Sequence, residues 1–177
     1  MRDLVDSERV QEFLRELGKR LRAPTTVYLT GGASAVLQGW RSSTLDLDLK
    51  VVPDNEVFAV LPELKERLRL NVELASPDHF LPPLPDWEGR SPLITRVGSV
   101  EFRHFDFCSQ ALAKIERGFS RDLDDVREML RRDLVDPEQL TRFAREVVPD
   151  LIRYPAVDPA SFLRAVDEYV RSVGESQ

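Results

Sequence analysis

The sequence predicts an α/β (α+β) fold: strands and helices intermix up to residue 108, and a helical segment fills 109–177. Two observations carry that expectation. In the first part, short β-branched or alternating runs bounded by glycine and proline are separated by amphipathic stretches. After Cys108 the apolar residues recur only at helical spacing.

Taken in order, Val10, Phe13, Leu14, Leu17 and Leu21 recur at helical spacing over residues 5–22, and Ala23-Pro24 ends the run. TTVYLT (25–30) is a strand that stops at Gly31-Gly32, and ASAVLQGW (33–40) is a short helix-compatible stretch. LDLDLKVV (45–52) alternates strictly, which puts Leu45, Leu47 and Leu49 on one face of a strand and Asp46, Asp48 and Lys50 on the other. Residues 54–70 read as helical, with Pro62 kinking the run or starting a second segment. NVELA (71–75) is a third strand, and the five prolines within 76–92 mark a long loop of the kind that often carries function. LITRV and VEFRHFDF flank Gly98-Ser99, a two-residue hairpin signal. One helix is expected over 109–133, with Leu112, Ile115, Phe119, Leu123, Val126 and Leu130 as its apolar stripe, interrupted by Gly118. Two more follow at about 137–153 and 159–173, split by Tyr154-Pro155.

At roughly 100–200 residues per domain, 177 residues make one compact domain, or one with a small appendage. We expect an α/β core over 1–108 and a C-terminal helical region over 109–177 packed on it. The residues are 42% apolar and 32% charged, too apolar for a disordered chain. Lys and Arg number 25 against 31 Asp and Glu, a net charge of −6, so bulk charge does not hold the chain on nucleic acid. A single cysteine, Cys108, excludes an internal disulfide framework and a multi-cysteine zinc site. No apolar run approaches the roughly 20 residues of a membrane span, and MRDLVDSERV is too charged for a signal peptide. The expectation is a soluble, cytoplasmic chain with no membrane partner.

The strongest chemical feature is TGG followed by DLDLKV. On a strand, Asp46 and Asp48 are i and i+2 and share a face, with Cα atoms about 6.7 Å apart. Their carboxylates can converge on one cation or bridge two, and a divalent cation is the usual way to relieve their repulsion. The alternative is a half-buried strand whose polar face meets water. A further carboxylate on a neighbouring strand strengthens the metal reading; Glu73 fits, and Asp106 is the second candidate. Gly31-Gly32, between strand and helix, lets backbone approach a ligand, while the helix N-terminus favours phosphate; the alternative is an ordinary turn. On the expected helix over 109–133, Lys114, Arg121 and Asp125 fall within about 20° of one direction, opposite the apolar stripe. Alone they read as a solvated face with Arg121 and Asp125 as an i,i+4 pair. No Cys/His signature surrounds Cys108 and His104, and His79 lacks a second histidine at ligand spacing. Aromatic residues are scattered rather than interleaved with bases, so no stacking platform for nucleic acid is evident.

Together, VYLTGGASAVLQGWRSSTLDLDLKV resembles the minimal nucleotidyltransferase signature of the polymerase-β-like superfamily. That signature is a Gly-Gly or Gly-Ser pair after a strand, a short helix, then Asp-x-Asp on the next strand. Arg41 and Thr44 match its Arg-x-x-Thr-x-Asp-x-Asp flavour. NVELASPDHFLPPLP and ALAKIERGFSRDLDDV further resemble the bacterial DUF6036-type branch, related to the toxin nucleotidyltransferases of abortive-infection (AbiEii-like) systems. There the second segment supplies a Lys…Arg-Asp-x-x-Asp helix, carried here by Lys114, Arg121, Asp122 and Asp125. The match spans roughly residues 25–130.

The resemblance implies a nucleotidyltransferase palm, with a mixed β-sheet flanked by helices and a C-terminal helical segment. It implies Mg²⁺ (or Mn²⁺) held by Asp46, Asp48 and Glu73, where most relatives carry Asp at the third position. It implies an NTP as substrate, with Gly31, Gly32, Arg41, Thr44, Lys114, Arg121 and Asp122 contacting the nucleotide and Asp125 beside Lys114 in the catalytic set. It further implies an acceptor such as tRNA, a protein hydroxyl or a small molecule, and a cognate antitoxin as partner. A silent nucleotidyltransferase-like module, binding or antitoxin-type, is the alternative. A DxD glycosyltransferase or metal nuclease accounts for the carboxylates but leaves Gly31-Gly32 and Lys114 unexplained.

Overall fold

The computed structural model describes residues 3–175, which form two compact units. The first takes the residues up to Ser76 together with Ser91–Phe105, and the second takes Pro77–Arg90 and the residues from Asp106 onward. The proline-rich segment therefore belongs to the helical unit.

In the first unit, helix α1 (Ser7–Arg20) begins on Asp6, whose side chain accepts a hydrogen bond from the Arg9 N–H at 3.0 Å. It ends with Lys19 and Arg20, the charges that a helix C-terminus favours. Strand β1 (Thr25–Thr30) leads straight into α2 (Gly31–Gln38), and β2 (Asp46–Val52) follows. Then come α3 (Val57–Leu68), β3 (Asn71–Glu73) and the hairpin of β4 (Leu93–Val97) and β5 (Val100–His104). The sheet is five-stranded in the order β3-β2-β1-β5-β4. It is mixed: β1 runs antiparallel to β2 and parallel to β5, β2 is parallel to β3, and β4 is antiparallel to β5.

Strand alternation gives this sheet one apolar face. Register aligns Val27, Leu29, Leu47, Leu49, Val51, Val72 and Phe102 on it, and all are buried. Phe13, Leu14 and Leu17 of α1, Val36 of α2, and Val57, Leu61 and Leu64 of α3 complete that core. The other face carries Tyr28, Thr30, Asp46, Asp48, Lys50, Asn71, Glu73 and Arg103. Two expectations change here. Leu45 lies before β2 and is exposed rather than on the apolar face. Helix α3 also runs through Pro62 as one element rather than starting a second segment there, because Leu61 and Leu64 are buried to either side and packing outweighs the lost hydrogen bond.

The second unit is built around α4 (Phe107–Arg117), which packs against α5 (Ser120–Arg131), α6 (Pro137–Glu146), α7 (Pro159–Gly174) and the 3₁₀ turn Pro77–His79. The single helix expected over 109–133 is two helices. Gly118 adopts φ +71° at the C-terminus of α4, and its N–H donates to the Lys114 carbonyl at 3.0 Å. That left-handed turn resets the helical phase. Leu112, Ile115, Val126 and Met129 are buried, while Phe119 is 67% exposed. The helix expected over 137–153 ends at Glu146 and continues as 3₁₀ turns over Val148–Arg153. Pro149 within that segment has no N–H to extend the α-helical ladder.

Candidate active site

Asp46 and Asp48 open β2 and project from its polar face, both half-buried, with the buried Leu47 between them and the buried Leu49 after Asp48. Backbone pairing sets what surrounds them. Asp48 lies opposite Thr30, the last residue of β1, and opposite Glu73 on β3, while Asp46 lies opposite Asn71. The strand alternation read from LDLDLKVV thus delivers both carboxylates to one surface.

The glycine bend stands directly beside them. Gly31 has φ +58°, a conformation that L side chains rarely adopt. A β-carbon there would also lie 3.0 Å from Asp48 Oδ2. At Gly32 the obstacle is Thr44: a β-carbon would fall 2.0 Å from its Oγ1. Each glycine therefore makes room for a particular neighbour. Thr44 is buried, pairs its backbone with Val5, and donates its hydroxyl to the Asp46 carbonyl at 3.2 Å. Its visible work is to hold the α2–β2 connection against Gly32. Arg41 lies in the turn after α2, half-buried, its N–H donating to the Ala35 carbonyl at 3.4 Å.

Glu73 is exposed on β3 and accepts a hydrogen bond at 3.1 Å from Nδ2 of Asn71, which also donates to Asp46 Oδ1. Among the described residues, no group of three or more His, Cys, Asp or Glu side chains is gathered to hold a metal. The donor set nonetheless suits magnesium, which is bound through one or two carboxylates together with substrate phosphates and water. The hard oxygens of Asp46 and Asp48 provide such a pair, and the missing β-carbon at Gly31 lets the bend approach Asp48 Oδ2 closely.

The second motif lies in the helical unit and is arranged differently from the solvated face read from the sequence. Lys114 is 5% exposed, and its ammonium donates to Asp122 at 3.2 Å and to Asp125 at 2.7 Å. Asp122 also accepts from Arg117 at 2.7 Å, and both carboxylates are buried. Lys114 and Asp125 sit on different helices, bridging α4 to α5, and Arg121 is exposed. The shared direction of Lys114, Arg121 and Asp125 required one continuous helix, which Gly118 interrupts.

Asp106, the second candidate for a third carboxylate, is committed elsewhere. It caps α4 by accepting from the Ser109 N–H at 3.1 Å and the Ser109 hydroxyl at 2.7 Å. Arg90 binds it through two bonds, at 3.1 and 2.9 Å. Burial, with the negative Asp106 nearby, pushes the Cys108 thiol up to about 12, which favours the protonated, less reactive form.

Sequence reasoning missed two features. Asn71 is legible only once strand register places it opposite Asp46. His104 is buried on the apolar face, 2.6 Å from Ser34 Oγ through Nδ1 and 3.1 Å from Gln38 Nε2 through Nε2. Its partners are 70 and 66 residues away in the chain, beyond the reach of local patterns.

A mixed sheet carrying a strand–Gly-Gly–helix turn beside an Asp-x-Asp strand is the arrangement expected of a nucleotidyltransferase-like protein. The chain belongs to the family described as "nucleotidyltransferase of unknown function" (DUF6036), whose model matches residues 7–158. No curated protein and no solved structure matches it. Among the described residues, no helix is long and apolar enough to cross a membrane.

Proposed function

We propose that this chain is a magnesium-dependent transferase that moves a nucleoside monophosphate from an NTP to a hydroxyl of RNA, of a protein or of a small molecule. The observation that carries the reading is the adjacency of Asp48 to Gly31, which joins a carboxylate pair to a bend that backbone-bound phosphate can approach. Asp46 and Asp48 would hold the Mg²⁺, with Mn²⁺ as a substitute. The glycine bend brings backbone against Asp48, and the N-terminal end of α2 would favour the negative charge of a phosphate. When bound, Mg²⁺ stabilises the attacking and leaving oxygens of in-line displacement at the α-phosphorus. The new bond forms from the acceptor oxygen, and the bond to pyrophosphate breaks.

The nucleotide contacts that the resemblance assigns to Lys114, Arg121 and Asp122, with Lys114 on phosphate, are carried as proposals. For Lys114 a competing role as the α4–α5 bridge stands beside them. A toxin role with a cognate antitoxin is proposed on the branch resemblance alone. Incubation with α-labelled NTPs, Mg²⁺ or Mn²⁺ and a cell extract is the direct test. Label transfer or pyrophosphate release that is lost in Asp46→Asn supports the reading, and its absence from the wild-type chain opposes it. Asp46→Asn retains an oxygen to accept from Asn71, so the fold should survive while transfer falls by at least about 10²-fold, the scale seen when a transition-state charge contact is removed.

One observation favours a second reading. No three-carboxylate set is gathered among the described residues, which suits a silent nucleotidyltransferase-like module. Calorimetric titration with NTP and Mg²⁺ separates the two, because a silent scaffold binds neither.

A further inference from the structure

We propose that Asn71 is a positioning residue for Asp46, and that Glu73 acts on the site through Asn71 rather than as a third metal ligand. The proposal rests on the reading of Asp46 and Asp48 as the magnesium pair.

Parallel pairing of β2 with β3 sets Asn71 opposite Asp46 and Glu73 opposite Asp48, all on the polar face of the sheet. A side-chain amide nitrogen carries two N–H donors, and both are used here. One goes to Asp46 Oδ1 and the other to Glu73 Oε1 at 3.1 Å. Neither carboxylate makes another side-chain hydrogen bond or an ion pair among the described residues. Glu73–Asn71–Asp46 is thus a self-contained chain of two bonds.

Its physical consequence follows from the donor pattern. Asp46 Oδ1 is held by Asn71, which fixes the carboxylate's rotation and leaves Oδ2 as the oxygen offered to a cation. A preset ligand loses less side-chain freedom on capturing the ion. Glu73 supplies the acceptor that keeps the amide nitrogen turned toward Asp46. For Glu73 to ligate the metal itself, it would have to leave that bond from an exposed position with several free torsions. Glutamate in place of aspartate suits this outer role, since its longer side chain reaches back along β3 from Glu73 to Asn71, two residues away.

Titration of the intact chain with Mn²⁺, followed by the paramagnetic resonance signal of the free ion, tests the inference without reference to turnover. Asn71→Ala should weaken Mn²⁺ binding by roughly tenfold, as removal of an outer partner of a metal ligand does. Glu73→Ala should weaken it in the same direction and less. The double variant should bind no more weakly than Asn71→Ala, because Glu73 has no effect once Asn71 is gone. Glu73→Gln, which keeps an oxygen acceptor, should recover the affinity that Glu73→Ala loses. Should Asn71→Ala fail to fold, Asn71→Ser serves, since its single hydroxyl donor can satisfy only one carboxylate. Losses that add in the double variant would make Glu73 a ligand in its own right and overturn the inference, as would wild-type affinity in Asn71→Ala. A wild-type chain that binds no Mn²⁺, alone or with NTP, overturns the magnesium reading itself and is recognised before any variant is compared.

Discussion

Gly31 and Asp48 come so close that a β-carbon on the glycine would stand 3.0 Å from the aspartate's Oδ2. The residue after β1 and the third residue of β2 are therefore one spatial unit, although sixteen intervening residues separate them in the chain. The glycine's φ of +58° adds a second reason that nothing larger belongs there.

Gly31→Ala tests both reasons at once. A non-glycine residue in the left-handed region costs about 1–3 kcal/mol, so the urea midpoint should fall by that equivalent. The new methyl group should also displace the Asp48 carboxylate, weakening Mn²⁺ and NTP binding beyond what the stability loss explains. A variant that loses stability but binds both ligands as tightly as the wild type would separate the bend from the site.

His104 makes stability depend on pH. Burial depresses its pKa from 6.5 to about 4, so the folded chain holds the ring neutral where the unfolded chain protonates it. Between these values the unfolded state binds more protons, and stability rises with pH. The contribution is complete above about pH 6.5 and is lost as pH falls toward 4, amounting to roughly 3 kcal/mol at about 1.4 kcal/mol per pH unit. Urea unfolding at pH 7.5, 6 and 5 should show this slope. Between pH 7.5 and 5, His104→Gln should lose about 2 kcal/mol less stability than the wild type does, from a lower stability near pH 7.5. An unchanged slope would mean that the ring does not govern it.

Lys114 is predicted to be a stability residue whatever else it does. Removing one member of a buried ion pair leaves uncompensated charge and costs about 3–5 kcal/mol. Lys114→Met should show that loss in denaturant unfolding, because it takes the ammonium away from buried Asp125 while Arg117 still pairs Asp122. Lys114→Met with Asp125→Leu should recover much of the loss, since an apolar pair of similar size replaces the ions. If the double variant is stable and transfer is still absent, the proposed catalytic roles of Lys114 and Asp125, taken together, gain support. Restored transfer would assign the lysine to structure alone.

The sheet unit was legible because its signals are local. TTVYLT is β1 residue for residue, and Gly98-Ser99 separates β4 from β5 as the hairpin signal requires. Alternation in LDLDLKVV likewise put Asp46 and Asp48 on one face. What was illegible depends on register or on a change of helix phase. Nothing in NVELA tells which of its residues faces Asp46 until β3 is known to run parallel to β2 in its particular register. Asp106 looked like a candidate ligand on its strand, but Arg90, sixteen residues earlier, and the start of α4 occupy it. The two units also interleave in sequence, which composition does not signal along a chain without a flexible linker.

Three truncations compare the α1 stripe, which packs as its spacing predicts, with the stripe that Gly118 divides. Phe13 of α1 is wholly buried against the sheet, and Phe13→Ala should cost about 3–5 kcal/mol. Leu123, expected in the same stripe as Phe119, is only half-buried on α5, so Leu123→Ala should cost clearly less than the 2–5 kcal/mol or so of a full core leucine. Phe119 follows the Gly118 turn and is 67% exposed, so Phe119→Ala should stay within about 0.5 kcal/mol of wild type. Urea midpoints for the three variants would rank them in that order. A large loss in Phe119→Ala would instead restore the continuous helix, bury Phe119 in its apolar stripe, and return Lys114, Arg121 and Asp125 to one exposed face.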